Sequence, residues 1–155
     1  MLRTETLVAL NPKVVRQGIF FLSWRNVRSD IEWSANAVDL ARTPKWRALE
    51  DHFVHGVAWE ETGIIDEVLY LRQTKERDLR RPRGREGVVR RYEALDAVYA
   101  EIRDQGYRSD ASSPPRLARD RDGRHYFVGN GWHRLWMAQH FDVAEVTFRL
   151  RWVQR

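Results

Sequence analysis

Two periods of apolar and polar residues divide this chain. From Val88 to Gln105 the residues Val88, Tyr92, Leu95, Tyr99 and Ile102 recur at spacings of four, three, four and three, with Val98 on the flank and Gly106 just beyond. That spacing predicts a helix with one buried face and a glycine stop. Thr43-Pro44 reads as a second helix start, a hydroxyl cap followed by proline at the first position, with Trp46, Leu49 and Phe53 on one face. A third helix is predicted from about Trp59 to Gln73 on the apolar set Ile64, Ile65, Val68, Leu69 and Leu71. Pro12 to Trp24 is apolar enough for a buried helix, although Gly18 interrupts it. Between these, Ile31, Trp33, Ala35 and Ala37 alternate with Glu32, Ser34 and Asn36, the period of a strand.

The last third changes character. Ser109 to Pro115 reads as a linker, Arg116 to Arg119 as a short strand, Asp120 to Gly123 as a hairpin turn and His125 to Val128 as the returning strand. Gly129-Asn130-Gly131 permits left-handed backbone before a helix that starts near Trp132. Val143 to Trp152 alternates, placing Val146, Phe148 and Leu150 on one side and Arg149 and Arg151 on the other, as a half-buried strand does. The expectation is one α+β domain, with a mainly helical part over 1–108 packed on a strand-strand-helix-strand lobe over 114–153. The sequence has no internal repeats and no low-complexity tracts.

Composition narrows the class. A chain of 155 residues with 43% hydrophobic and 12% aromatic residues, seven of them tryptophan, can bury one moderate core. No apolar run reaches the length of a membrane span, and Met1 to Leu7 does not read as a signal peptide. With no cysteine there is no disulfide framework and no thiolate site, so a cytoplasmic protein with no membrane partner is expected. The net charge of +5 is concentrated. Nine basic residues face three acidic ones between Arg72 and Arg91, a net +6 that leaves about −1 for the remainder. Pro82, Gly84 and Gly87 predict an exposed loop from Leu79 to Gly87, and Arg80, Arg81, Arg83 and Arg85 are its candidate contacts to nucleic acid. A solvated loop whose arginines pair with acidic helix faces explains the same run.

Chemistry concentrates at Gly129-Asn130-Gly131-Trp132-His133-Arg134. A helix start leaves backbone N–H groups unpaired and carries partial positive charge, and glycines permit close approach. Gly129, Gly131, His133 and Arg134 are therefore the candidate phosphate or nucleotide site. The competing reading pairs Arg134 with Asp120, Asp122 or Asp142 and gives Trp132 and Trp136 to packing instead of base stacking. His52 and His55 stand three apart without an identifiable third ligand, so no metal site is assigned. Glu60 and Glu61 read as first-turn acids of a helix.

The order strand, Asp-Gly turn, strand, Gly-x-x-Arg, helix, strand resembles the ParB/sulfiredoxin-like superfamily over roughly residues 114 to 153. Gly131-Trp132-His133-Arg134-Leu135-Trp136-Met137-Ala138 matches the segment with which those proteins bind a nucleotide. Upstream, Pro44-Lys45-Trp46 and the stretch from Phe53 to Thr62 are similar to an uncharacterised ParB-like group. The resemblance implies that Gly131 lets backbone approach phosphate, that Arg134 binds phosphate oxygens and that His133 adds a second contact. It also implies a nucleoside triphosphate with magnesium as cofactor, which the residues themselves leave unspecified.

Sulfiredoxins place a cysteine where this chain has Trp132, so sulfinic acid reduction is not expected. Partition proteins often carry an acid there, so the resemblance does not imply nucleotide hydrolysis. These 155 residues leave no room for the helix-turn-helix and dimerisation domains of a complete partition protein. The expected function is a nucleotide- or nucleic-acid-phosphate-binding module, with catalysis undecided. The alternative is a non-catalytic interaction or structural accessory protein of a phage or mobile element that keeps the fold without a working site.

Overall fold

Three helices in the middle of the chain form one compact unit, Thr43–Gly106, and the segments on either side form another, Met1–Arg42 with Tyr107–Arg155. The computed structural model describes residues 8–10, 26–27, 33–73, 84–108, 114–128, 131–144 and 146–154. The helix expected over Pro12 to Trp24 lies outside them.

In the helical unit α1 spans Pro44–Phe53, α2 Ile64–Gln73 and α3 Arg85–Gln105. Trp46, Leu49, Ile64, Ile65, Val88 and Tyr92 are buried, as the helical spacing predicts. Phe53 stacks on Tyr99 at 4.1 Å and Trp59 packs on His52 at 3.9 Å, so aromatic faces join α1 to α3. Two carbonyl-type acceptors organise that cluster. His52 Nδ1 lies 2.7 Å from the Val57 carbonyl oxygen, and its Nε2 lies 3.1 Å from Asp96 Oδ1. The buried Trp59 donates its indole N–H to the same Asp96 oxygen at 2.9 Å.

Two helix boundaries differ from expectation. α2 begins at Ile64, not Trp59, because Gly63 has φ +75°, a left-handed conformation that no right-handed helix continues through. Ala58 to Thr62 is a separate turn, closed by Thr62 Oγ1 donating to the Trp59 carbonyl at 2.7 Å. Glu60 and Glu61 are therefore exposed turn residues, and Asp66 and Glu67 supply the first-turn acids. α3 begins three residues before Val88. Gly84 caps it, and Arg85 to Gly87, expected in a loop, form its first turn.

The second unit is a six-stranded mixed sheet in the order β2-β6-β4-β5-β1-β3. β1 is Val8–Leu10, β2 Asn26–Val27, β3 Ala37–Val38, β4 Arg116–Arg119, β5 His125–Phe127 and β6 Arg149–Gln154, and helix α4 spans Trp132–His140 between β5 and β6. β4 and β5 form the expected antiparallel hairpin, while β6 lies parallel to β4 on its other side. β1 runs parallel to β5 and pairs antiparallel with β3, and β2 runs parallel to β6. The molecule is thus α+β, but the part expected to be mainly helical over 1–108 is narrower. Its first strands extend the edges of the C-terminal sheet and occupy backbone groups that an open edge would expose.

Two strands were misplaced by alternation. Ser34–Asn36 is a short 3-10 turn, and of the described residues of the alternating set, 33–37, only Ala37 is in a strand. Ala35 and Ala37 are exposed and bury too little to hold a longer strand, whereas Trp33 packs edge-on against Tyr126 at 5.9 Å. β6 starts at Arg149 instead of Val143. Its parallel partner β4 is preceded by Pro114 and Pro115, which have no N–H to extend the ladder. A register shift between Leu117 and Ala118 also breaks the alternation, and Leu150 is 46% exposed.

Two tests follow from this packing. A Cβ on Gly131, at φ +94°, would lie 2.6 Å from Pro115 Cα, whereas one on Gly123, at φ +84°, meets open space. Gly123→Ala is expected to cost about 1–2 kcal/mol of left-handed strain, and Gly131→Ala a further ~1–3 kcal/mol of overpacking, measured by urea unfolding. Equal losses would mean that Pro115 yields freely. Asp96→Ala is expected to cost about 1–2 kcal/mol, whereas Glu93→Ala on the same helix should change stability by less than ~0.5 kcal/mol.

Candidate phosphate-binding site

The site predicted from sequence is built where β5 hands the chain to α4. Gly131 is the left-handed N-cap residue of α4, and Leu135 N–H donates to its carbonyl at 2.9 Å. No side chain caps this start and no acid stands in its first turn, so Trp132, His133 and Arg134 occupy the positive end of the helix dipole. α4 is held rigidly, since Leu135, Trp136, Met137 and Ala138 are all buried.

The sequence candidates separate on inspection. Arg134 is half-buried in the first turn and pairs with none of Asp120, Asp122 and Asp142. Those carboxylates stand elsewhere. Asp120 is buried at the hairpin, where its Oδ1 accepts the N–H groups of Asp122 at 3.0 Å and Arg124 at 2.8 Å. Its Oδ2 accepts the Tyr126 hydroxyl at 2.8 Å. Asp142 follows the far end of α4. His133 is half-buried with its Nε2 sealed from solvent, so that atom is not presented to a ligand. The side of Gly131 that a Cβ would fill is taken by Pro115, so its missing side chain serves packing. Trp132 packs edge-on against Phe127 at 4.6 Å and Trp136 stacks on His140 at 4.7 Å, which gives both rings to the lobe. Gly129 lies outside the described residues.

Tyr107 is a neighbour that sequence reasoning missed. Burial pushes its phenol above the ordinary value, and the charge of Arg134 pulls it partly back. No local pattern announces this approach, because 27 positions separate the two residues. At the opposite end of the hairpin, burial and the Arg119 guanidinium hold His125 below its ordinary value, against the pull of Asp120.

Of the basic segment, Arg80, Arg81 and Arg83 lie outside the described residues. Arg85 is the first residue of α3 and pairs with Asp66, while Arg90 lies 3.6 Å from Glu86. Both pairs are exposed and of the kind that contributes little to stability, so a polyanion can displace them. His52 is engaged by Val57 and Asp96, and no group of three metal-ligating side chains occurs among the described residues. A magnesium ion would therefore find no such group of protein ligands among the described residues. No helix among the described residues is long and apolar enough to cross a membrane. Compared with protein-family models, curated proteins and solved structures, the chain matches none.

The buried Tyr126–Asp120 contact has a pH signature. Burial first, and then the hydrogen bond to a carboxylate, push the Tyr126 phenol up to about 12 from 10.0. The native state keeps this proton where the unfolded chain has lost it, so the stabilisation is complete below pH 10 and disappears as pH rises towards 12. Melting temperatures across that range should fall steeply for the wild type and more gently for Tyr126→Phe. Parallel curves would rule out this role for Tyr126.

Proposed function

We propose that this protein is a phosphate-binding module for a nucleotide or nucleic acid, with a ParB/sulfiredoxin-like lobe over 114–153 and Arg134 as its principal contact. One observation carries the proposal. Arg134 stands in the first turn of α4, at the positive end of a buried helix, with no carboxylate among the described residues paired to it. A guanidinium with planar donors beside the amides of a helix start is suited to phosphate oxygens. His133 takes part through atoms other than Nε2, and Gly131 shapes the turn. The order of β4, β5, α4 and β6 supports the family resemblance. A cytoplasmic location accords with a sequence free of cysteine.

The function proposed is binding, and no reaction step is assigned. A nucleoside triphosphate supplies phosphates for Arg134, and any magnesium it carries would keep water and phosphate ligands. A second reading has its own support. The Gly131 contact with Pro115 and the inward Nε2 of His133 are features a purely structural lobe also needs. On that reading the protein is a non-catalytic accessory, of a phage or mobile element, that acts through its surface.

A nucleoside triphosphate screen separates the two. Phosphate binding predicts a rise in melting temperature with at least one triphosphate, at constant magnesium, that Arg134→Ala abolishes while keeping a cooperative transition. A set of triphosphates and oligonucleotides that leaves the melting temperature unmoved would favour the accessory reading.

A further inference from the structure

Arg116 and Arg149 are Cα partners on the parallel strands β4 and β6. Adjacent strands are about 4.8 Å apart and in-register side chains stand on one face, so both side chains leave the same face of the sheet from neighbouring positions. Like charges in that relation repel. Neither arginine forms an ion pair among the described residues.

Both belong to the end of the sheet where α4 begins. Arg149 N–H donates to the Pro115 carbonyl at 2.9 Å, Val128 N–H donates to the Arg116 carbonyl at 2.9 Å, and Gly131 rests on Pro115. The described acids of this unit stand away from that end or are engaged. Asp120 and Asp122 occupy the hairpin tip, four residues or about 13 Å along β4 from Arg116. Asp142 lies beyond α4, whose nine residues span about 13 Å. Asp39 is held by Arg42 at 3.9 Å and by the Ala41 N–H at 2.9 Å.

We infer that Arg116 and Arg149 continue the phosphate contact of Arg134 into a surface for the phosphodiester backbone of a single-stranded nucleic acid. The inference rests on the phosphate-binding reading of Arg134 and names its ligand as a polymer. A mononucleotide carries its phosphates in one cluster and satisfies Arg134 alone. A strand carries one charge per nucleotide, so it can neutralise guanidinium groups on separate elements and relieve the repulsion between Arg116 and Arg149. Arginine, with its planar fork, is matched to phosphate oxygens at all three positions.

The test titrates the full chain with ATP, with a short oligothymidylate and with poly-glutamate of matched charge, over a range of salt. Oligothymidylate should bind the wild type, and Arg116→Gln/Arg149→Gln should weaken it about tenfold or more. The salt slope should fall by about 1.4, two phosphates at ~0.7 each. ATP binding should survive in this variant. Its melting temperature without ligand should equal or exceed that of the wild type, because a repulsion has been removed. Unchanged oligothymidylate affinity and slope in the variant would overturn the inference, as would equally tight binding of poly-glutamate. A wild-type salt slope of one phosphate or less overturns it independently of how the variant folds. If ATP binds and oligothymidylate binds no tighter, this inference alone falls. If neither binds, the reading of Arg134 falls with it.

Discussion

The close approach of Pro115 to Gly131 fixes the geometry on which the C-terminal unit depends. Gly131 adopts φ +94° and leaves no room for a Cβ, because the Pro115 backbone fills that space. Pro115 is itself buried, accepts the Arg149 N–H and, having none of its own to donate, ends the ladder there. One contact thus sets where β4 begins, where β6 can join it and where the axis of α4 starts. Arg116, Arg149 and the helix start that carries Arg134 belong to the same end of the sheet as a result. None of the three needs a special conformation to be there.

The opposite end of β4 obeys the contrary electrostatic rule. Asp120 is a buried carboxylate, and burial of a charge is unfavourable unless hydrogen bonds replace the lost water. Two turn N–H groups and the Tyr126 hydroxyl do so. In the helical unit Asp96, though exposed, also serves internal contacts, one oxygen meeting both Trp59 and His52. In both places an acid is spent on internal order. The arginines at the α4 end have no such employment among the described residues, an asymmetry that accords with the anion-binding surface proposed for them.

How much of this was legible in the sequence depends on the range of the interaction that decides each feature. The α3 stripe, the β4–β5 hairpin and the start of α4 were legible because spacing, an Asp-Gly turn and a glycine-rich junction are local signals. The start of α2 was misjudged because Gly63 outweighs the apolar pattern on either side of it. The two- and three-residue strands β1, β2 and β3 are too short to show a period, and only hydrogen bonds to β5 and β6 define them. The start of β6 depends on prolines more than thirty positions upstream. In the candidate site, Arg134 and the helix start were legible. The Arg116–Arg149 register was not, because it arises between strands separated by α4. The basic residues Arg80, Arg81 and Arg83 drew attention by sheer density and lie outside the described residues.

What the α4 end can do follows from its inventory. The start of the helix offers oriented amides, a guanidinium that stays charged and, in Tyr107, a phenol that burial keeps protonated. All of these donate hydrogen bonds, so together they favour an anion and have little means of taking a proton from one. On the reading proposed above, a ligand that neutralises both Arg116 and Arg149 relieves the repulsion between like charges on neighbouring strands. The free energy of binding then draws partly on repulsion already present in the fold. A polymeric phosphate, which reaches several guanidinium groups at once, gains more from that repulsion than any single phosphate can.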